Sequence, residues 1–209
     1  MSPGATMERV YRELRERIIT GDFAPGARLE PAHLAHELAA SATPVRDALQ
    51  RLSGERLVES RHLEGFRQPA PSESDLRDFY GWLEALLHLA LRSPGAPARL
   101  GGTRAAATPD GYPRRVADLF RAIALQSANR ELHFAISNAV DRCHLLRRAE
   151  LEIDPAGLEV LRAMEADFEA GRWADLRKKI GRFHRERIAA ADRIVDRLRP
   201  PPAGLGQHS

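Results

Sequence analysis

At 209 residues, 43% of them apolar and 29% charged, the chain can form one large or two modest globular domains and is too apolar for disorder throughout. The formal charge is +3, yet residues 1–70 hold ten arginines and ten acidic residues, so net charge alone does not indicate DNA binding. The single Cys143 excludes an intramolecular disulfide, and neither a secretory signal nor a membrane span is evident, so we expect a cytoplasmic protein.

A helix-turn-helix is predicted in residues 31–56, after an amphipathic first helix that Gly21 can end. The apolar spacing of one short helix stops at Leu38, and that of the next resumes at Val45. We expect Thr43 to be the N-cap of the second helix and Pro44 its first residue. Arg46 would then lie in the first turn, where the positive end of the helix dipole disfavours a cation. A contact with a phosphate or a guanine edge would explain an arginine at this position.

A small β-wing is predicted after this pair of helices. Residues 57–61 and 66–69 are brief extended candidates, and Arg28 with Leu29 predicts a further short strand. Together these elements predict a winged helix-turn-helix domain over residues 6–70. The predicted tip of the wing carries Arg61, His62 and Arg67.

A second, all-helical domain is predicted over residues 72–199. Ser72 and Asp75 have the spacing of a capping box at its start. Its pattern predicts an antiparallel bundle, so the fold class is mainly α with a small β-wing. The Pro- and Gly-rich residues 93–113 predict a flexible loop, and we expect the tail 200–209 to be disordered. Further helices are predicted at about 114–127, 130–150, 154–171 and 173–199.

The segments VYRELRERIITGDFAPGARLEPAHLAHEL, ATPVRDALQRLSGERLVES and EGF resemble the DNA-binding domain of GntR-family bacterial transcription regulators. The resemblance covers Val10 to about Gln68. The helical half, with DLRDFYGWLEAL and SANREL, is more loosely similar to the effector domain of the FadR-type subfamily. That resemblance implies a bundle that binds a small acid or other metabolite and mediates homodimers.

The resemblance implies DNA contacts by two groups of residues, Ser41, Thr43 and Arg46 in the turn and recognition helix, and His62 and Gly65 in the wing. The chemistry agrees, because Arg46 can make a bidentate contact with guanine and the two hydroxyls can bind phosphate oxygens. An alternative is that Arg46 only forms an ion pair with a nearby acid, Asp47 or Glu55, on a solvated face. Gln50, one turn later, is a further candidate base reader. Arg61 is another candidate in the wing. Gln50, Arg61 and His62 can equally be ordinary exposed residues.

Two departures from the family patterns concern the sites. The family usually has Arg where this chain has Ala42, so one DNA contact is expected to be missing. The subfamily often holds a divalent metal, but alignment puts Ala117, Arg121 and Leu161 at ligand positions and leaves His184 displaced by about one residue. We therefore expect no metal and no cofactor.

In the helical domain, apolar or otherwise non-ligating residues thus replace polar residues that line the effector pocket of the subfamily. This replacement has two interpretations. The pocket either receives a small, more apolar metabolite effector anchored by Arg121 or His184, or has filled with side chains and binds nothing.

The leading functional hypothesis is a dimeric transcription regulator, most simply a repressor, that binds a pseudo-palindromic operator in double-stranded DNA and responds to a small-molecule effector. The alternative is a helical small-molecule-binding or interaction protein with weakened DNA binding. An enzyme is not expected, because no nucleophile, base and orienting acid are indicated by the sequence.

Overall fold

The computed structural model describes residues 3–92, 94 and 111–199. It divides into two compact units, one within residues 3–70 and the other within residues 71–196. The predicted fold class is confirmed, since helices predominate and the three strands described belong to one small sheet. The predicted tail and nearly all of the predicted loop lie outside the described residues. Within those residues, no helix combines the length and apolarity needed to cross a membrane.

The first unit consists of three helices and a three-stranded antiparallel sheet in the order β1-β3-β2. The short first strand predicted before the helix-turn-helix is present and pairs with the last strand of the wing, which places Leu29 opposite Phe66. The elements are α1 (Pro3–Thr20), β1 (Arg28–Leu29), α2 (Pro31–Glu37), α3 (Ala42–Gly54), β2 (Glu59–Arg61) and β3 (Gly65–Arg67).

One apolar core holds these elements together. Its largest contributions are leucines and other aliphatic residues from the inner faces of α1, α2 and α3, each buried at a helical spacing of three or four residues. Full burial of such a side chain contributes roughly 1.5 to 3 kcal/mol, so the three helices are fixed against one another. The core residues on these helices, or at the C-cap of α2 in the case of Leu38, include Val10, Leu14, Ile18, Leu34, Leu38, Val45, Leu49 and Leu52.

The start of α3 differs from the sequence prediction. The helix begins at Ala42 with Ser41 as its N-cap, so Thr43 is not the cap and Pro44 is the third helical residue. Proline is tolerated there because the first four amides of a helix have no intrahelical acceptor. Arg46 is consequently the fifth helical residue, where the helix dipole opposes a cation less strongly.

The second unit is all-helical in its described residues, and the predicted capping box is confirmed. Ser72 Oγ accepts from the amide of Asp75 at 3.2 Å, and the amide of Ser72 donates to Asp75 Oδ2 at 2.9 Å. The last predicted helix is broken at Ala190, which nothing in its local propensity explains. The helices are α4 (Glu73–Ala90), α5 (Tyr112–Ala124), α6 (Arg130–Ile153), α7 (Gly157–Glu169), α8 (Trp173–Ala189) and α9 (Ala191–Leu198).

Candidate nucleic-acid interface

Helix α3 has one buried face and one polar face. The inner face inserts into the core of the first unit, whereas the opposite face is exposed to solvent. A helix repeats about every 3.6 residues, so positions 43, 46, 47 and 50 share that outer side. The outer face of α3 therefore presents Thr43, Arg46, Asp47 and Gln50.

Arg46 is exposed and makes no hydrogen bond or ion pair with any residue that the structure describes. The carboxylate of Glu55, one of the acids considered as its partner, instead accepts from Tyr11 at 2.7 Å and lies 3.5 Å from Arg51 Nε. Asp47 does not pair with Arg46 either. The guanidinium of Arg46 is thus available to an external acceptor.

The turn before α3 presents a second polar group. Ala39 has φ of +46° within the turn, and Ser41 follows it in an extended conformation. The side chain of Ser41 is exposed and makes no capping hydrogen bond. Because the first amides of a helix also lack acceptors, the hydroxyl and the helix N-terminus together can bind a phosphate.

The wing carries the remaining predicted contacts. Arg61 and Gly65 face each other where β2 pairs with β3, and the exposed His62 lies in the turn between them. Gly65 has φ of +79°, and a Cβ added there would meet no atom within 4 Å, so its backbone conformation rather than space favours glycine. Arg61 Nη2 lies 3.0 Å from Glu59 Oε2, which means that its charge already has a partner.

Residues 6–67 match the protein family described as bacterial regulatory proteins, gntR family. The repressor GlaR of Escherichia coli K12, an HTH-type transcriptional repressor, is 37% identical over 70 residues, which is 34% of this chain and 32% of GlaR. The regulator YdhC of Bacillus subtilis 168 is 29% identical over 70 residues, or 34% of this chain and 31% of YdhC.

Residues 6–67 form a gntR-family domain. Both curated relatives are described as transcription regulators and neither as an enzyme. The chain matches about a third of the length of each of them, and the match falls on about 70 residues, so it says nothing of the helical unit. The FadR-type subfamily stays a prediction.

Solved structures extend the comparison to the fold of most of the chain. A candidate GntR transcriptional regulator from Rhodococcus sp. RHA1 has a TM-score of 0.73 at 19% identity, with 90% of this chain and 97% of that chain covered. McbR/YncC from E. coli has a TM-score of 0.61 at 20% identity, with the same coverage of both chains. At these identities the likeness shows the fold alone.

Two features of the gntR-family domain refine the sequence analysis. Ala42, which replaces the usual arginine, is half-buried and packs against the apolar core at the start of α3. Asp47 does not pair with Arg46 but shares the exposed face of α3, where it can accept from the amino group of a cytosine. The sequence offered a signal for this, because Asp47 lies four residues after Thr43 and three before Gln50, a spacing that places all three on one face of a helix.

The two predicted effector anchors lie in different surroundings in the second unit. The side chain of Arg121 is 40% exposed, and its Nη2 donates to Asp141 Oδ1 at 2.7 Å. His184 is fully buried, and its ring stacks on Phe120 with 5.8 Å between ring centroids. His184 Nδ1 donates to the carbonyl of Ile180 at 2.9 Å, because a carbonyl can only accept. In the neutral ring, Nε2 is then an acceptor, and it has no partner.

His184 lies beside a group of buried charges that sequence reasoning missed. Glu150 accepts from Arg147 Nη1 at 2.8 Å, from Arg187 Nε at 2.9 Å and from the hydroxyl of Tyr80 at 2.7 Å. These groups come from α4, α6 and α8, and a further tyrosine from α5 accepts from Arg187 at 2.9 Å. We call them the buried cluster; its members are Tyr80, Tyr112, Arg147, Glu150, His184 and Arg187.

The buried cluster carries two guanidinium charges against one carboxylate. Burial opposes the charge on Glu150, but Arg147 and Arg187 lower the pKa of that carboxyl to about 2. Burial lowers the pKa of His184 to about 3, so its ring is neutral at pH 7. Arg147 Nη2 has no hydrogen-bond partner, although the residue is only 2% exposed. Within the buried cluster, the guanidinium charges thus outnumber the carboxylates by one, and one donor of Arg147 has no hydrogen-bond partner.

The sequence contained a signal for this cluster. In α6 the buried positions recur at 136, 140, 143, 147 and 150, so Arg147 and Glu150 continue the apolar stripe of that helix. In α8 the buried positions 176, 180, 184 and 187 do the same. A charged residue in such a stripe is rare unless it is paired. Among residues 3–92 and 111–199, no three His, Cys, Asp or Glu side chains are grouped to hold a metal ion.

Proposed function

We propose that this chain is a DNA-binding transcription regulator whose outer face of α3 reads an operator from the major groove. The observation that carries this proposal is the exposed guanidinium of Arg46, which has no partner among the described residues, within a gntR-family domain. A major groove about 12 Å wide admits an α-helix, and arginine binds guanine O6 and N7 in a bidentate manner.

The neighbouring side chains supply contacts of two kinds. Ser41 and Thr43 lie at and just after the N-cap, so we assign them to phosphate oxygens, which fix the position of the helix in the groove. Gln50 lies one turn beyond Arg46 and has the amide geometry that pairs with adenine. Arg61, His62 and Gly65 are assigned to the adjacent minor groove.

We propose that the protein binds as a homodimer and represses transcription from a pseudo-palindromic operator in the cytoplasm. Two recognition helices must be about 34 Å apart to meet successive major grooves, so a second copy is needed to read two half-sites. Repression is supported by the description of the relative GlaR as a repressor.

Selection of duplexes from a random pool with the purified full chain tests this function. We expect two inverted half-sites about one helical turn apart to be enriched. Arg46→Ala should weaken binding to the selected duplex by about 5- to 150-fold, the equivalent of about 1 to 3 kcal/mol. Arg162→Ala removes the same charge from an exposed position in α7 and is the matched control. Equal loss in both variants, or none in Arg46→Ala, would contradict the assignment.

We propose further that the second unit binds a small metabolite effector beside His184. Arg147 and His184 both lie against the rings of Phe120 and Phe183, at 5.3 to 5.8 Å from the ring centroids. The unpaired Arg147 donor calls for a negatively charged acceptor, and the unpaired His184 acceptor calls for a donor such as a hydroxyl. The proposed effector is therefore apolar over most of its surface, with one anionic end. Arg121 is assigned to its entrance.

A thermal-shift screen tests this assignment with small organic acids, with and without a hydroxyl group, and with matched amines. A ligand that binds only the folded chain raises its stability in proportion to the logarithm of its concentration. We expect acids to stabilise the protein and to release the selected duplex, and amines to do neither. Stabilisation by amines alone would exclude an anionic effector.

A second candidate function is favoured by the charge of the first unit. The ten arginines and ten acidic residues of residues 1–70 cancel, and Ala42 removes one expected DNA contact. The chain would then be a helical small-molecule-binding or interaction protein with weakened DNA binding. A selection that enriches no duplex, together with ligand-induced stabilisation, would favour this function.

A further inference from the structure

The turn at the tip of the wing contains a leucine in an unusual conformation. The amide of Glu64 donates to the carbonyl of Arg61 at 3.1 Å, which closes a four-residue turn with Leu63 in its third position. Leu63 has φ of +65°, in the left-handed region. Glycine and asparagine are the usual residues at such a position, because a bulky side chain there destabilises the backbone. The fold alone gives no reason for leucine.

The same side chain is also unusually exposed. Leu63 is 92% exposed, whereas the seven other leucines of residues 3–70 are at most 3% exposed. A single exposed leucine is common on protein surfaces and means little by itself. Here it coincides with an unfavourable backbone conformation, so both the backbone and the side chain of Leu63 make the isolated fold less stable.

The charged side chains of the wing are largely matched within the hairpin itself. Arg61 lies 3.0 Å from Glu59 and 3.8 Å from Glu64, and Arg67 lies 3.6 Å from Glu64. Two guanidinium groups are thereby matched by two carboxylates of the same hairpin. The wing therefore offers a polyanion little net positive charge, and Leu63 is the apolar side chain exposed at its tip.

We propose that Leu63 is a wedge that enters the minor groove beside each half-site and partly unstacks one base step. This inference rests on the proposed function in DNA binding. Apolar side chains such as leucine open base steps from the minor groove, and pyrimidine–purine steps, TA above all, are the easiest to open. Leu63 thereby selects for a deformable step at a position where no hydrogen bond reads the bases.

Three substitutions distinguish an effect of the apolar side chain on DNA binding from an effect on the folding of the turn. Leu63→Asn and Leu63→Gly accept the left-handed conformation and remove the apolar side chain, so both should fold at least as well as the original chain. Leu63→Met keeps an apolar side chain of similar length. The affinity of each full-length variant for the selected operator duplex is measured, together with the fluorescence of 2-aminopurine placed in turn at each flanking step.

We expect Leu63→Asn and Leu63→Gly to weaken binding on the order of tenfold, since the apolar contact of one leucine is lost, and Leu63→Met to bind nearly normally. The original chain and Leu63→Met should brighten 2-aminopurine at one flanking step, and the other two variants should not. Replacing that step by a stiff A-tract should remove the difference between the variants.

The outcomes distinguish failure of the wedge from failure of the proposed function. If the original chain binds a selected duplex and Leu63→Asn and Leu63→Gly match it in affinity and in 2-aminopurine fluorescence, the wedge is overturned and the function stands. If the variants lose self-association without DNA while keeping DNA affinity, Leu63 contacts protein instead and the wedge is overturned. If the original chain binds no duplex, both proposals fail.

Discussion

The two units of this chain place their polar groups in opposite ways. Of the side chains described as buried, the first unit includes one polar residue, Gln68, whereas the second unit includes nine. The first unit folds on an apolar core and keeps its candidate contacts outside, on α3 and the wing. The second unit places charges among aromatic rings. We therefore assign the unpaired group of the first unit to the proposed DNA contact and that of the second unit to the proposed ligand.

Two arginines of α3 show the same contrast within one helix. Arg51 lies 3.1 Å from Glu8 and 3.5 Å from Glu55, and its guanidinium carbon is 3.6 Å from the centre of the Tyr11 ring. Arg46, five residues earlier, has none of these partners. Arg51 therefore helps to hold α3 against α1, and Arg46 remains available for recognition.

Breaking the buried cluster should have the largest effect on stability. Glu150→Gln leaves Arg147 and Arg187 buried without their carboxylate, so we expect the free energy of unfolding of the second unit to fall by about 3 to 5 kcal/mol. Urea unfolding followed by tryptophan fluorescence measures this unit, because Trp82 and Trp173 are the two tryptophans of the chain and both belong to it.

The matched control for that experiment is Glu159→Gln, which removes a carboxylate from the exposed pair with Arg162. Exposed pairs contribute little, so the unfolding midpoint should hardly change. Equal destabilisation by Glu150→Gln and Glu159→Gln would contradict the account of the cluster.

The stability of the second unit should depend on pH because of the buried His184. Its pKa is about 3 in the folded chain, below the ordinary 6.5, so the unfolded chain binds a proton that the folded chain does not. Stability should therefore fall as the pH drops from 6.5 towards 3, by up to about 1.4 kcal/mol per pH unit from this group. Glu150, with its pKa lowered to about 2, adds to the loss below pH 4.5.

His184→Gln isolates the contribution of the histidine. The variant should lose less stability than the original chain between pH 6.5 and pH 4.5, as measured by urea unfolding at each pH with tryptophan fluorescence. Parallel curves for the two proteins would show that His184 is not buried in its neutral form.

The two serine N-caps give the smallest and most selective test. Ser72 makes its capping bonds at the start of α4, so Ser72→Ala should destabilise the second unit by about 1 kcal/mol. Ser41 makes no capping bond at the start of α3, so Ser41→Ala should leave the circular-dichroism melting curve almost unchanged and weaken DNA binding. A stability loss as large in Ser41→Ala as in Ser72→Ala would show that the hydroxyl of Ser41 supports the helix instead.

Local patterns predicted much of the first unit. The apolar spacing around Val45 and Leu49 predicted the recognition helix, and Arg28 with Leu29 predicted the first strand. The N-cap of α3 was wrong by two residues, because both Ser41 and Thr43 are capping residues and proline is accepted at either resulting position. Local sequence alone cannot decide whether the helix is capped by Ser41 or by Thr43, because either hydroxyl can accept from the free amides of the first turn.

The second unit was harder to predict because its polar core depends on packing between distant helices. Glu150 meets Arg187 and Tyr80 only when α4, α6 and α8 pack together, and these contacts join residues 37 and 70 positions apart. The family's metal-ligand positions correspond to residues such as Arg121 and His184, whereas the buried charges lie in the apolar stripes of α6 and α8. Periodicity shows that such a charge is buried but not what it meets.

The central claim is that Arg46 reads guanine in the major groove. Replacing each guanine of the selected half-site in turn by 7-deazaguanine removes the N7 acceptor while keeping the base pair, and affinities of the original chain and Arg46→Ala are compared for each duplex. At one guanine we expect the replacement to weaken the original chain markedly and Arg46→Ala hardly at all, since the variant has already lost that contact. Equal sensitivity of the two proteins at every guanine would contradict the claim.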